Sequence, residues 1–179
     1  AESLRRLAEE AVSVLEKTLA ANPLSADEAR DLIWSHVTAS EYPARLMEVA
    51  MHSLWQALAE GGAFEDLELV RLSQMRSANK KHGNVGDVEL RDLGEIVEAW
   101  DAKYGKAYLR EELEELSEKL ENHRMVQVAG FVYSHDLERA AELRERAAEL
   151  EAIHGTKIEF LRFTEWVSKQ ICRVNEGAV

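Results

Sequence analysis

Asp87, Asp101 and Lys103 are the residues whose types and spacing could do chemistry together. Glu95 to Lys103 reads as a β-strand, so Asp101 and Lys103 project to one face while Trp100 and Ala102 project to the other. Gly86 to Leu90 reads as a second strand, and Arg91-Asp92-Leu93-Gly94 between them carries the Asp and Gly of a turn, which makes the two an antiparallel hairpin. Folding that hairpin lays Asp87 beside Asp101, with Glu89 on the same face as Asp87. Two carboxylates and an ammonium at the open end of a sheet suit a hard divalent cation and the phosphodiester hydrolysis it can assist. Mg²⁺ is the expected ion, with Mn²⁺ as a substitute. The ordinary alternative is an exposed ion pair at a strand end, which contributes little to stability.

The elements that must position these residues follow from periodicity. Residues 2–21 repeat apolar side chains at Leu4, Leu7, Ala11, Val14, Leu15 and Leu19, the spacing of an amphipathic helix that Asn22-Pro23 stops. Ser25 and Glu28 form a capping box for a second helix to about Val37. Ser40 is expected to cap a third, with Tyr42-Pro43 in its first turn, Gly61-Gly62 at its end, and an apolar stripe of Leu46, Met47, Ala50, Met51, Leu54, Trp55 and Leu58. A strand over Leu67–Leu72 and a basic loop from Ser73 to Asn84 lead into the hairpin. A helix over Tyr108–Asn122, a strand over Val126–Tyr133, a helix over Asp136–His154, a strand over Lys157–Phe163 and a helix capped by Thr164 complete the order. Strands alternating with helices imply parallel connections, and the hairpin makes the sheet mixed. The expected fold is therefore α/β, a mixed sheet of about five strands flanked by helices, with a helical N-terminal third. Residues 1–39 form the helical extension and 40–179 the core.

With 46% hydrophobic residues in 179, the chain can bury one core. No apolar run approaches the roughly 20 residues a bilayer span needs, and no cationic segment followed by an apolar one opens the chain, so a cytoplasmic protein with no membrane partner is expected. Cys172 is the only cysteine, which excludes an internal disulfide and a Cys-rich zinc site. A net charge of −12 and a pI near 5.0 speak against a nucleic-acid partner. Distribution answers that in part: acids dominate from Glu111 to Glu151, whereas Arg71, Arg76, Lys80, Lys81, Arg91, Lys103, Lys106 and Arg110 cluster before it.

An acid on one strand, followed on the next strand by an acid, any residue and a lysine, is the pattern of the PD-(D/E)xK nuclease superfamily, and Asp87 with Asp101-Ala102-Lys103 resembles it. Glycine, Gly86, stands where that pattern has proline. The surrounding series, Asn84 to Leu90, Glu98 to Lys106, Ala129 to Val132 and Ile158 to Val167, looks like the SacI-type restriction endonuclease family over about Ser40 to Val167.

The resemblance implies a restriction-endonuclease-like core, a type II sequence-specific endonuclease that leaves a 5′-phosphate, and double-stranded DNA as partner of a homodimer. Asp87, Asp101 and Lys103 are then catalytic. Asp87 and Asp101 hold the metal, with the Ala102 carbonyl a further ligand and Glu48, on the helix before the sheet, an additional acid; Glu89 is a comparable candidate. Removing either member of the Asp87–Asp101 pair is expected to relieve repulsion between them. Arg76, Asn79, Lys80, Lys81, Asn84 and Lys106 are the candidate DNA-binding residues, since Arg suits guanine, Asn suits adenine and Lys suits phosphate. The alternatives are a structure-specific or defence nuclease of the same fold, or a non-catalytic DNA-binding or assembly module.

Overall fold

A computed structural model describes residues 24–64, 66–72 and 83–176. The helix expected over residues 2–21, and the loop bearing Arg76, Asn79, Lys80, Lys81 and His82, lie outside the described residues. The remainder is a mixed five-stranded sheet between two helical layers. It comprises α1 (Ala26–Ala39), α2 (Pro43–Glu60), β1 (Glu68–Leu69), β2 (Val88–Asp92), β3 (Glu95–Lys103), α3 (Arg110–Asn122), β4 (Val128–Tyr133), α4 (Ala140–His154), β5 (Lys157–Arg162) and α5 (Phe163–Glu176). Strand order is β1-β2-β3-β4-β5, antiparallel through β3 and parallel from β3 to β5. No described helix is long and apolar enough to cross a membrane.

Local chemistry accounts for most element ends, and tertiary contacts move the rest. Ser25 and Glu28 make the expected capping box, the Glu28 amide donating to Ser25 Oγ at 3.2 Å and the Ser25 amide to Glu28 Oε2 at 2.9 Å. Ser40 does not cap α2. Its Oγ accepts from the Tyr42 amide at 3.0 Å, and α2 begins at Pro43, whose fixed φ and missing N–H suit a first helical position. The strand expected over 67–72 contracts to Glu68–Leu69, and just beyond it the Val70 carbonyl is taken by His52 Nε2 at 3.0 Å. β2 and β3 run on through Asp92 and Glu95, so the turn is only Leu93-Gly94, both at positive φ (47° and 90°), as a two-residue hairpin requires. α3 and α4 start later than periodicity suggests, at Arg110 after the buried Leu109 and at Ala140 after the left-handed Arg139.

α1, α2 and α5 cover one face of the sheet, with Val37, Met47, Met51, Trp55, Phe163 and Trp166 packed on Val88, Leu90, Trp100 and Val132. α3 and α4 cover the other, with Leu113, Leu116, Leu143 and Leu150 on Ala99, Ala129, Phe131 and Ile158. Between Leu90↔Glu98 and Arg91↔Ile96 the register skips Val97, a bulge that turns Val97 and Glu98 toward the first face. There Glu98 accepts from Trp100 Nε1 at 2.7 Å and from Arg173 Nη2 at 2.7 and 2.8 Å, which ties α5 to the strand carrying Asp101 and Lys103.

Trp100 is fully buried, and its ring lies across β4 at Gly130. A Cβ at Gly130 would stand 2.7 Å from Trp100 Cζ3 and 2.3 Å from the Glu159 carbonyl oxygen of β5. Neither neighbour can give way without displacing the sheet. Gly130→Ala is therefore expected to destabilise the protein by on the order of 3 kcal/mol, the upper range for overpacking. Urea unfolding checks it, and a midpoint equal to the parent's would contradict this account of the core.

Candidate active site

The site forms where β2 begins and β3 ends, at the carboxyl end of the parallel strands, the end at which open α/β sheets bind ligands. Val88↔Trp100 is the first pair of the β2–β3 ladder, and one step beyond it the Asp87 amide donates to the Trp100 carbonyl at 2.8 Å. Asp87 thus lies opposite Asp101, as strand alternation and the turn led one to expect. Asp87 Oδ2 accepts from the Ala102 amide at 3.0 Å, and the Asp87 and Asp101 carboxyls are close enough to shift each other's ionisation. Lys103 Nζ is 2.6 Å from Asp101 Oδ2.

Gly86 is required by this geometry. A Cβ there would lie 2.6 Å from the Trp100 carbonyl oxygen, so the chain could not come close enough to make the Asp87–Trp100 bond. Proline, which carries a Cβ, is excluded for the same reason. The loop into Gly86 is held by Glu89, which is fully buried and whose Oε1 accepts from the amides of Val85 at 2.5 Å and Gly86 at 3.1 Å. Burial raises the Glu89 pKa, with those two amides opposing it. Glu89 is thus engaged in shaping the turn before Asp87.

Electrostatics separates the two aspartates. Burial first, then the charge of Asp101 and the hydrogen bond to it, push Asp87 up to about 8; Glu48 adds to this and the Ala102 amide opposes it. Burial would raise Asp101 too, but the hydrogen bond with Asp87 and the Lys103 ammonium outweigh it, with help from Lys119, and hold Asp101 below the usual carboxylate range. The two carboxyls titrate as a pair, with Asp87 shifted up and Asp101 down.

Among the described residues no three acid, histidine or cysteine side chains converge to hold a metal ion. Glu48 is near enough for its charge to act on Asp87, yet its carboxylate is ion-paired with Arg45 in the same helix. The donors still suit Mg²⁺: two hard carboxylate oxygen donors that cannot both ionise without a compensating charge, as the raised Asp87 shows. The Ala102 carbonyl shares the strand edge of its amide, because both backbone groups of one strand residue point the same way, and so faces the Asp87 end of β2.

Against known proteins, no family model matches the chain. No curated protein matches it either. The site therefore rests on its own geometry.

Of the candidate DNA-binding residues, Arg76, Asn79, Lys80 and Lys81 lie outside the described residues. Asn84 is half-buried beside Val85, in the loop that Glu89 holds. Lys106 is ion-paired with Glu112 of α3. Two residues near the site escaped the sequence reading. Lys119 Nζ donates to the Val85 carbonyl at 3.2 Å, and its charge acts on both Glu89 and Asp101. It is the only lysine of the otherwise glutamate-rich α3, three residues after the buried Leu116, a signal that it flanks the apolar face. Arg45 is likewise the only arginine or lysine of α2, three residues before Glu48.

Proposed function

We propose that the protein is a Mg²⁺-dependent endonuclease that hydrolyses phosphodiester bonds of double-stranded DNA, and that it acts as a type II restriction endonuclease of the kind its sequence resembles. One observation carries this reading: Asp87 and Asp101 lie opposite each other on adjacent strand ends, with the Lys103 ammonium 2.6 Å from Asp101 Oδ2. Carboxylates held this close raise one another's pKa, as the upward shift of Asp87 reflects, and such perturbed groups cluster at functional sites.

Asp87 and Asp101 would hold the ion, with the Ala102 carbonyl beside them. Bound there, Mg²⁺ supplies Lewis-acid polarisation of the scissile phosphate and activation of the attacking water. Lys103, fixed by Asp101, orients that water with its ammonium and stabilises the negative charge that grows on the phosphate oxygens in the transition state. Asp101, ionised under ordinary conditions, is ready to receive the ion. Asp87 must release its proton as the ion enters, so metal affinity rises with pH up to about 8. Cutting both strands takes two such sites, which makes a symmetric homodimer in the cytoplasm the assembly proposed here.

Digestion of a supercoiled plasmid of known sequence, with Mg²⁺ and with EDTA, tests the reading. Discrete fragments with Mg²⁺ alone are expected. A smear would assign the same chemistry to a structure-specific nuclease. An intact plasmid, together with no saturable Mg²⁺ binding by calorimetry, would overturn the proposal.

A further inference from the structure

We infer that Lys119 and Glu89 are positioning residues of the acid site: Lys119 from α3 and Glu89 from β2 grip the backbone of Val85 and Gly86, and that grip sets where Asp87 presents its carboxyl. This deepens the nuclease reading above and rests on it.

The chain enters β2 through Val85, Gly86 and Asp87, and the backbone there is bound at four groups. Glu89 Oε1 accepts from the Val85 amide at 2.5 Å and from the Gly86 amide at 3.1 Å. Lys119 Nζ donates to the Val85 carbonyl at 3.2 Å, and the Asp87 amide donates to the Trp100 carbonyl at 2.8 Å. The Val85 side chain is buried in the same core cluster as Leu116 and Leu120, which flank Lys119 on α3. So α3 holds Val85 by its side chain and its carbonyl, while β2 holds it by its amide. At Gly86 the chain already lies against the Trp100 carbonyl as closely as a residue without a Cβ allows.

A grip on Val85 and Gly86 is passed directly to the next residue. Asp87 follows them in the chain, and its Oδ2 is placed 3.0 Å from the Ala102 amide. Metal ligands are aimed by the groups that hold them, and loss of such a supporting group typically costs about ten- to a hundredfold in metal affinity. Lys119 and Glu89 support Asp87 through backbone. Glu89 is then not a ligand itself: its Oε1 is spent on the two amides, and its Oε2, closed to water, stands 3.8 Å from Arg91 Nη2.

The sign of one measurement separates positioning from plain charge. A cation beside a metal site repels the ion, so a Lys119 that acted by its charge alone would oppose Mg²⁺, and its removal would tighten binding. Removal of a support weakens it.

The test uses the full chain in two assays: Mg²⁺ titration by calorimetry, and hydrogen exchange of the Gly86 and Asp87 amides by NMR in EDTA, which needs no metal. Lys119→Met, which keeps the stem and loses the donor, is expected to weaken Mg²⁺ binding about tenfold. It is also expected to speed exchange of both amides about tenfold, with the melting temperature within about 4 °C of the parent. Lys119→Arg, which keeps the charge and can donate to the same carbonyl, is expected to recover most of both effects. Glu89→Gln, whose side-chain oxygen can still accept from the two amides, is expected to leave Mg²⁺ affinity within about threefold.

Tighter or unchanged Mg²⁺ binding by Lys119→Met would overturn the positioning role of Lys119. A loss of more than about tenfold on Glu89→Gln, with amide exchange unchanged, would make Glu89 a ligand and overturn its part. Should Lys119→Met fail to fold by circular dichroism, Lys119→Gln, one bond shorter than lysine, carries the same comparison. A parent that binds no Mg²⁺ sinks the nuclease reading and this inference with it, whereas a parent that binds Mg²⁺ while Lys119→Met changes neither binding nor exchange sinks only this inference.

Discussion

Lys103→Ala is expected to slow cleavage by about a thousandfold or more while leaving duplex affinity within about twofold, since the loss of one preorganised charged group at the reacting centre typically has that size. Lys103 Nζ lies 2.6 Å from Asp101 Oδ2, so the acid that would bind the ion also aims the ammonium. Charge builds on the phosphate only as the attacking oxygen approaches. A cation in that position therefore lowers the barrier more than it strengthens the bound ground state. The variant should also bind Mg²⁺ no more weakly than the parent, because Asp101 loses a competitor for its carboxylate. Single-turnover rates on a short duplex, with anisotropy for affinity, separate the two effects. Cleavage at the parental rate would remove Lys103 from the chemistry.

Asp87→Asn is expected to abolish saturable Mg²⁺ binding and, without metal, to make the protein more stable as pH rises toward 8. The sign follows from where the proton sits. Folded Asp87 keeps its proton up to about 8, whereas in an unfolded chain an aspartate loses it near 4. Between those values the folded state binds more protons, so stability is full below about pH 4 and declines as pH rises to about 8. Asparagine stays neutral throughout, can accept from the Ala102 amide and can donate to Asp101. The variant and parent should melt nearly together at pH 4, and the variant roughly 5 °C higher at pH 8, a shift that corresponds to about 2 kcal/mol in a chain of this size. Saturating Mg²⁺ should raise the melting temperature of the parent and not of the variant.

Asp101 carries the opposite sign. Its pKa is held below the ordinary value, so its contribution is present above the unfolded pKa and is lost as pH falls through its own lower one. The expectation that removing either aspartate would simply relieve repulsion thus applies to Asp87, whereas Asp101→Asn also discards the ion pair with Lys103. Melting curves of both variants from about pH 2 to pH 8 check the pair, the low end for Asp101 and the high end for Asp87. A lower melting temperature for Asp87→Asn than for the parent at pH 8 would mean that the two carboxyls do not share a site.

What the sequence determined by itself was the local part of this site. Alternation along Glu95–Lys103 places Asp101 and Lys103 on one face, the turn within Arg91–Gly94 folds Asp87 back against them, and the Ser25–Glu28 capping box begins α1, because each depends on residues a few positions apart. The apolar run at Val126–Tyr133 and the helical spacing over Tyr108–Asn122 and Asp136–His154 announce a sheet covered by helices for the same reason, although both helices begin later. Tertiary structure decided the energetics. That Asp87 rather than Asp101 holds the proton depends on burial and on Lys103 and Lys119 being where they are. That Glu89 is buried and spends an oxygen on two loop amides goes with α3 reaching the same loop, where Lys119 donates to the Val85 carbonyl. That the charge of Glu48 reaches Asp87 although its carboxylate is paired with Arg45 depends on how α2 seats against the sheet. Alternation and turn chemistry are properties of short stretches of backbone. The ionisation of a carboxyl is set by the water it loses and the charges it meets, and in this fold those arrive from strands and helices distant in the chain.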